Sequence, residues 1–313
     1  MDQKEQLEII CAGETLIDFI GNQKERPIAE IKDYHRYLGG SPTNVAMNLA
    51  RFGLNVGLIA AIGKDGFGTY IKERFEEAEL NLNGLQEVEA HPTTVIFVSR
   101  TEGSPEFIPM RAADYQISAE QLPVEDLKRT RLFHCSCFGL SRQPARDSIL
   151  QAAQIAHSAG ATVSIDINYA PSIWPDRAQA LEVVKKYCAY GALIKASLDD
   201  VERIFGYALE PKELFKTLHD WGAAMICLTL GKKGAMLSQP GVEPIELPAM
   251  KVEKIMDATG AGDAFWSGFL FAYLKEMSPR DCMSTGLKTA AIKLQNVGRI
   301  PDYASMLHTV LNL

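Results

Sequence analysis

The residues best suited to chemistry lie in the stretch 257–265, which reads Asp-Ala-Thr-Gly-Ala-Gly-Asp-Ala-Phe. Gly260, Ala261 and Gly262 follow an expected extended run, 251–256, and precede an apolar helical pattern, 264–274, so their N–H groups can converge at a helix start. Those donors and the positive end of the helix dipole predict an anion site. Asp263 would repel a phosphate there unless its carboxylate takes a proton from the group that attacks the phosphate. The spacing therefore predicts phosphoryl transfer with Asp263 as the general base.

Three other interpretations of this stretch fit less well. An ordinary tight turn with Asp263 as helix N-cap leaves the nearby Asp257 and Thr259 side chains unexplained. A dinucleotide-binding fingerprint needs a third glycine where Phe265 stands. A Walker A loop is absent from the sequence, since Gly63-Lys64 is followed by an aspartate.

The stretch resembles the C-terminal motif of the ribokinase/PfkB family of sugar kinases. The resemblance continues in Gly-Glu-Thr-Leu-Ile-Asp at 13–18, Gly-Gly-Ser-Pro-Thr-Asn at 39–44 and Thr-Leu-Gly-Lys-Lys-Gly at 229–234, and it is nearest in pattern to fructokinase-like members. It implies an ATP-dependent kinase in which Asp263 is the base and the glycine turn is the anion hole.

The expected fold is a ribokinase-like, three-layer α/β/α domain over residues 1–313. From residue 132 onward, strands rich in Val, Ile and Leu alternate with helical patterns, which predicts a mostly parallel sheet covered on both faces. The β-rich runs 93–100 and 106–110 predict a hairpin. With the segment 14–38 they predict a small antiparallel lid, formed by about 14–38 and 92–111.

The expected sugar site combines an acidic side chain with a glycine pair. Asp18 interrupts a strand-like run, and its carboxylate can accept two sugar hydroxyls; the alternative is a solvent-facing side chain. Gly39 and Gly40 permit close backbone approach, and Asn44 follows in the first turn of a helix. Arg111 either contacts the substrate or forms a surface salt bridge with the nearby Asp114, and the sequence leaves both open.

The expected nucleotide site lies past the carboxyl ends of the parallel strands, where open α/β sheets bind ligands. The resemblance and this rule together point to Asn168, Lys195, Thr229, Gly231, Gly234, Thr259 and Asn296. Asp200 is expected to hold Mg²⁺ through water.

Two parts of the chain depart from the family pattern. Ala170 stands where related chains carry an arginine, and the segment 195–200 replaces the usual Asn and Glu by Ser197 and Asp200. The effect of Ala170 on phosphate binding is open. A sugar- or nucleotide-binding protein without turnover is therefore an alternative to an active kinase.

Composition restricts the partners. The net charge of −7 disfavours nucleic acid and anionic membranes, and no apolar run is long enough to span a bilayer, which predicts a cytoplasmic enzyme. Six scattered cysteines predict buried free thiols. The resemblance implies a small sugar, ATP and Mg²⁺ as ligands, leaves a monovalent cation open, and indicates a homodimer through the lid.

The expected acceptor is a fructose-like neutral sugar, because Asp18 disfavours an anion close to it. 2-Keto-3-deoxygluconate, 5-dehydro-2-deoxygluconate, ribose and nucleosides stay open as alternatives. The reaction expected is transfer of the ATP γ-phosphoryl group to a primary hydroxyl.

Overall fold

The computed structural model of the protein describes residues 6–100 and 106–296. The sequence predicts helices over 279–310, and the part of that segment beyond residue 296 lies outside the described residues, as does the turn of the predicted hairpin, 101–105. The strands are β1 Ile9–Ala12, β2 Leu16–Lys24, β3 Tyr34–Gly39, β4 Val56–Gly63, β5 Asn81–Val88, β6 Val95–Arg100, β7 Phe107–Met110, β8 Leu132–Ser136, β9 Thr162–Ile167, β10 Leu193–Ser197, β11 Met225–Thr229, β12 Ala235–Gln239 and β13 Val242–Leu247. The helices are α1 Ser41–Arg51, α2 Gly66–Glu77, α3 Val124–Leu127, α4 Ala145–Ser158, α5 Arg177–Cys188, α6 Leu198–Phe205, α7 Pro211–Asp220, α8 Ala261–Leu274 and α9 Pro279–Leu294.

The large sheet has nine strands in the order β13-β12-β11-β10-β9-β8-β1-β4-β5. Its strands from β11 to β5 are parallel, and β12 and β13 add an antiparallel edge. The predicted mostly parallel sheet is confirmed. Its carboxyl ends all open toward one edge, where ligand-binding loops belong.

Two hydrophobic cores cover the two faces of this sheet. Alternate residues of β1 point to opposite faces, so Ile10 packs with residues of α4 to α7 and Cys11 packs with residues of α1, α2, α8 and α9. This alternation produces the three predicted layers. All six cysteines are buried and free, as predicted.

The lid is a separate sheet of four strands in the order β3-β2-β6-β7. Its outer pairs, β3 with β2 and β6 with β7, are antiparallel as predicted. Its central pair, β2 with β6, is parallel, a detail that the sequence did not reveal. The homodimer through this sheet stays a prediction.

Three local features differ from expectation. Strand β5 and the β12–β13 hairpin were not predicted. The segment 251–256, expected to be extended, contains no strand. Helix α8 begins at Ala261, three residues earlier than the apolar pattern indicated, so Gly260 is its N-cap and Asp263 lies in its first turn. Within the described ranges, no helix is both long and apolar enough to cross a membrane.

Candidate active site

The Asp263 carboxylate is held by two side chains of α1. Ser41 Oγ donates to Asp263 Oδ1 at 2.7 Å, and Asn44 Nδ2 donates to Asp263 Oδ2 at 2.8 Å. Burial raises the pKa of Asp263, although both hydrogen bonds oppose that shift. The carboxyl is therefore fixed in position and more basic than an ordinary aspartate.

The predicted anion hole lies at the start of α8, with one change in its donors. Ala261 N–H donates to the Ala258 carbonyl at 3.1 Å, which closes the turn. Among the described residues, Gly260 N–H and Gly262 N–H have no protein acceptor. Gly260 has φ +72°, a left-handed conformation that suits glycine. The N–H groups of Gly260 and Gly262 are thus available for an anion.

Lys195 brings a positive charge next to this turn. Its side chain comes from the carboxyl end of β10, is 5 % exposed, and donates from Nζ to Asp166 Oδ2 at 2.9 Å. A Cβ at Gly262 would lie 3.0 Å from Lys195 Nζ. Burial would lower the pKa of Lys195, but Asp166 and Asp200 outweigh it and raise the pKa, so the side chain stays protonated. A buried positive charge beside the turn would attract phosphate, so Lys195 stays a predicted nucleotide-binding residue.

A second buried lysine, which the sequence analysis missed, lies on the other side of the loop. Lys293 donates from Nζ to Asp257 Oδ2 at 3.2 Å and to the Asn296 carbonyl at 3.3 Å. Thr259 N–H also donates to Asp257, while the Thr259 residue itself is exposed. Burial would raise the pKa of Asp257, but Lys293 and the Thr259 N–H outweigh it and lower that pKa. A lysine inside the apolar face of a helix was the available signal.

Asp18 faces a cavity that it shares with Asn44 and Gly260. Burial, with Asp263 and Asp257 nearby, raises the pKa of Asp18 to about 7. A Cβ at Gly39, on the neighbouring strand, would lie 2.1 Å from Asp18 Oδ2, so the glycine leaves room for the carboxylate. Asp18 is half-buried in this cavity, which contradicts the alternative of a solvent-facing side chain.

The glycine pair connects this cavity to α1. Gly40 has φ +106°, and a Cβ there would lie 2.2 Å from the Glu14 carbonyl oxygen. Ser41 N–H donates to Glu14 Oε1 at 2.7 Å, and Ser136 Oγ donates to Glu14 Oε2 at 2.8 Å. Burial raises the pKa of Glu14 to about 8. Glu14, which the sequence analysis did not single out, thus fixes the start of the helix that holds Asp263.

Arg111 does not face the cavity. Its guanidinium is 1 % exposed, donates from Nε to Asp114 Oδ2 at 2.9 Å and from Nη1 to Ser141 Oγ at 2.5 Å, and lies 4.3 Å from the Phe138 ring centroid. A short 3₁₀ turn at Ala113–Tyr115 brings Asp114 back to the arginine. The partner named by the salt-bridge alternative is correct, but the pair is buried instead of on the surface.

Several predicted nucleotide residues have structural partners. Asn168 Oδ1 accepts from Phe138 N–H at 3.2 Å, Thr229 Oγ1 donates to the Ala196 carbonyl at 3.3 Å, and Asn296 Nδ2 donates to the Ile292 carbonyl at 2.8 Å. A Cβ at Gly234 would lie 2.0 Å from the Leu247 carbonyl oxygen, so this glycine permits close packing of β12. Gly231 has open space around it. Thr229 and Gly231 remain at the same sheet edge as Lys195.

Asp200 is engaged as a helix cap. Its Oδ2 accepts from the N–H and hydroxyl of Ser197 in a capping box, and its Oδ1 lies 3.6 Å from Arg203 Nη1. The described part of the chain contains no group of three or more His, Cys, Asp or Glu side chains that could hold a metal ion. These residues do not form a protein cage for Mg²⁺.

The comparisons with known proteins agree with this geometry. A family model described as pfkB family carbohydrate kinase matches residues 6–305. The chain belongs to this family. It is a carbohydrate kinase with the ribokinase-like fold that the motifs indicated.

Two curated relatives and one solved structure that are similar to this chain have names that refer to different sugar acceptors. An ATP-dependent 6-phosphofructokinase of Thermoanaerobacterium thermosaccharolyticum is 33% identical, over 94% of this chain and 90% of the relative. A 5-dehydro-2-deoxygluconokinase of Clostridium perfringens is 25% identical, over 93% of this chain and 88% of the relative. The structure of Halothermothrix orenii fructokinase has a TM-score of 0.79 and 32% identity, over 91% of this chain and 98% of that chain.

Proposed function

We propose that this PfkB kinase transfers the γ-phosphoryl group of ATP to a primary hydroxyl of a ketohexose-type sugar. The observation that carries the proposal is the clamped Asp263 carboxylate, which lies in the first turn of α8 beside two available N–H donors and across the cavity from Asp18. Two relatives whose names give fructose or phosphorylated fructose as acceptor support the acceptor class.

In this mechanism, Asp18 accepts hydroxyls of the sugar and holds the primary hydroxyl against Asp263. Asp263 removes the hydroxyl proton as the oxygen attacks the γ-phosphorus, and burial, which raises its pKa, makes it a better proton acceptor than an ordinary aspartate. Gly260 N–H, Gly262 N–H and the Lys195 ammonium offset the charge of the phosphoryl group in transfer. Closure of the lid excludes water, which would otherwise hydrolyse ATP.

ATP and Mg²⁺ are the proposed ligands, and the whole chain, 1–313, is the proposed catalytic unit. Mg²⁺ would supply charge neutralisation at the nucleotide phosphates. The buried Lys195 and the two N–H donors suit the γ-phosphate end of the nucleotide.

A sugar acid is a weaker candidate for the acceptor. Arg111 was the side chain expected to neutralise its carboxylate, and it is paired with Asp114. Binding without turnover is also less well supported, because a fixed base with a raised pKa next to an anion hole has no use in a simple binding protein.

An acceptor panel tests the proposal. ATP consumption by the purified chain is measured with fructose, fructose 6-phosphate, 2-keto-3-deoxygluconate and ribose, and the phosphorylated position is identified by ³¹P and ¹³C NMR. We expect ketohexose-dependent ADP release and a new ester at a primary carbon. Sugar binding without ADP release for every acceptor contradicts the kinase assignment.

A further inference from the structure

The acceptor cavity continues well beyond Asp18. It encloses about 570 Å³ and runs between α1 and α2, under strand β3 of the lid. On α1 it is lined by Asn44, Asn48 and Arg51, which share one helix face because they are four and then three residues apart. Its catalytic end is acidic and hydroxyl-binding, whereas its far end is lined by arginines.

The two ends are separated by about the length of a substrate. Asn44, which donates to Asp263, and Arg51 are seven residues apart on α1, which is about 10 Å along the helix axis at 1.5 Å per residue. Helical side chains lean toward the N-terminus, so the Arg51 side chain leans back toward the catalytic end. A ketohexose with one terminal hydroxyl at Asp263 and its carbon chain along α1 would bring its other terminal carbon toward Arg51.

The far end is basic although the protein is acidic. Arg74 of α2 lines it, donates to Glu77, and has its Cζ 5.4 Å from the Tyr70 ring centroid. Arg36 of the lid has its Cζ 3.7 Å from the same centroid. Arg51 and Arg74 therefore line the far end together with Glu77, and Arg36 lies against Tyr70, which also lines it, in a chain whose net charge is −7.

One polar atom in this cluster lacks a partner within the described residues. Arg74 Nε is buried and has no hydrogen-bond acceptor there. A buried donor without a partner is rare in proteins, so the Arg74 guanidinium is incompletely satisfied by the protein itself. Guanidinium groups from two helices fit a phosphate ester, whose second pKa near 6 makes it close to a dianion at neutral pH.

We propose that Arg51, Arg74 and Arg36 form an anion subsite and that the acceptor is a ketohexose already esterified with phosphate on the carbon opposite the reacting hydroxyl. The proposal rests on the proposed function, because it uses the same acceptor cavity. The hydroxyl oxygen forms a bond to the γ-phosphorus, the bond from that phosphorus to the β–γ bridging oxygen breaks, and the hydroxyl proton passes to Asp263. The products are ADP and a ketohexose bisphosphate. The phosphate of the acceptor stays far from Asp18, which disfavours an anion only nearby.

The test compares acceptors and arginine variants. With saturating ATP and Mg²⁺, kcat/KM is measured for fructose 6-phosphate, fructose and 2-keto-3-deoxygluconate in wild type, Arg51→Gln and Arg74→Gln. We expect kcat/KM for fructose 6-phosphate to exceed that for fructose by at least about tenfold in wild type. Each variant should lower kcat/KM for fructose 6-phosphate by about 10- to 100-fold through a higher KM, and should change kcat/KM for fructose little. Arg131→Gln is the control, because Arg131 is 39% exposed against 36% for Arg74 and pairs with Glu276 outside this cavity.

A higher kcat/KM for fructose or for the sugar acid than for fructose 6-phosphate would overturn the subsite. Equal losses of kcat/KM on fructose and fructose 6-phosphate in both variants would overturn it as well. Calorimetric binding of fructose 6-phosphate to Asp263→Asn, which lacks the base, separates this proposal from the kinase assignment. If fructose 6-phosphate binds in an Arg51-dependent way but the wild type does not phosphorylate it or any other acceptor, the kinase assignment is refuted and the subsite is supported. If the wild type phosphorylates fructose and a phosphate on the sugar does not raise kcat/KM, the kinase assignment is supported and the subsite is refuted.

Discussion

Replacing Lys195 by methionine should destabilise the protein in a way that depends on pH. The substitution keeps most of the side-chain volume and removes the ammonium group that lies 2.9 Å from Asp166 Oδ2. Asp166 Oδ1 is also buried, without a hydrogen-bond partner in the described ranges. Removing one member of a buried ion pair typically costs about 3–5 kcal/mol, because the other charge is left uncompensated.

The carboxyl of Asp166 can avoid that charge by keeping its proton. In the folded state of the Lys195→Met variant, Asp166 then holds a proton at pH values where the unfolded chain, with an ordinary aspartate pKa of 3.8, has released it. The native state binds more protons, so its stability falls as pH rises above the unfolded pKa. Burial already raises the pKa of Asp166 to about 7 in the wild type, and loss of the Lys195 ammonium raises it further. The stability of the variant should therefore fall by at most about 2.7 kcal/mol between about pH 5.5 and about pH 7.5, at 1.36 kcal/mol per pH unit, and the wild type shares the part of this loss that lies below about pH 7.

Urea unfolding of wild type, Lys195→Met and the double variant Lys195→Met/Asp166→Asn at both pH values measures this effect. We expect the single variant to lose stability relative to wild type as pH rises, and the double variant to lack that extra dependence. A Lys195→Met protein whose deficit is the same at both pH values, or a double variant with the same slope as the single one, refutes the reasoning.

Three further predictions concern the site. Gly40→Ala should destabilise the protein by about 1–3 kcal/mol in unfolding assays and raise the acceptor KM, because a Cβ there meets the Glu14 carbonyl oxygen at positive φ. The control Gly66→Ala, at a glycine with open space around it, should change neither the stability nor the KM. The pH profile of kcat/KM for the acceptor should rise through an apparent pKa near 7, because Asp18 binds hydroxyls best when ionised and its pKa is raised to about 7; a flat profile between about pH 5.5 and 8 contradicts this. Ala170→Arg should lower the KM for ATP if the loop after β9 faces the phosphates, and unchanged ATP kinetics with an intact fold show that it does not.

The sequence predicted those parts of the protein that have strong local signals. The apolar strands of the parallel sheet and the stretch 257–265 are of this kind, since both follow from residue type and spacing. Strand β5 and the β12–β13 hairpin were missed because they lie at the two edges of the large sheet, where β13 in particular is largely exposed and lacks an apolar run.

The partners of the site residues could not be predicted, because they come from distant parts of the chain. Ser41 and Asp263 are 222 residues apart, and Lys293 reaches Asp257 across 36 residues from a different helix. No spacing rule connects such positions. Arg111 shows the reverse case, since its partner Asp114 is close in sequence, but only the fold decides that the pair turns inward.

The most direct test of the central claim is Asp263→Asn. The amide keeps the size of the carboxylate and can still accept from Asn44, but it cannot take a proton from the acceptor hydroxyl. Turnover should fall by about 10²–10⁴, while the affinity for ATP is unchanged or slightly higher because a negative charge near the phosphates is removed. Asp281→Asn, at an exposed aspartate in the first turn of α9, is the control and should retain most of the turnover. An Asp263→Asn protein with near wild-type kcat would contradict the assignment of Asp263 as the catalytic base.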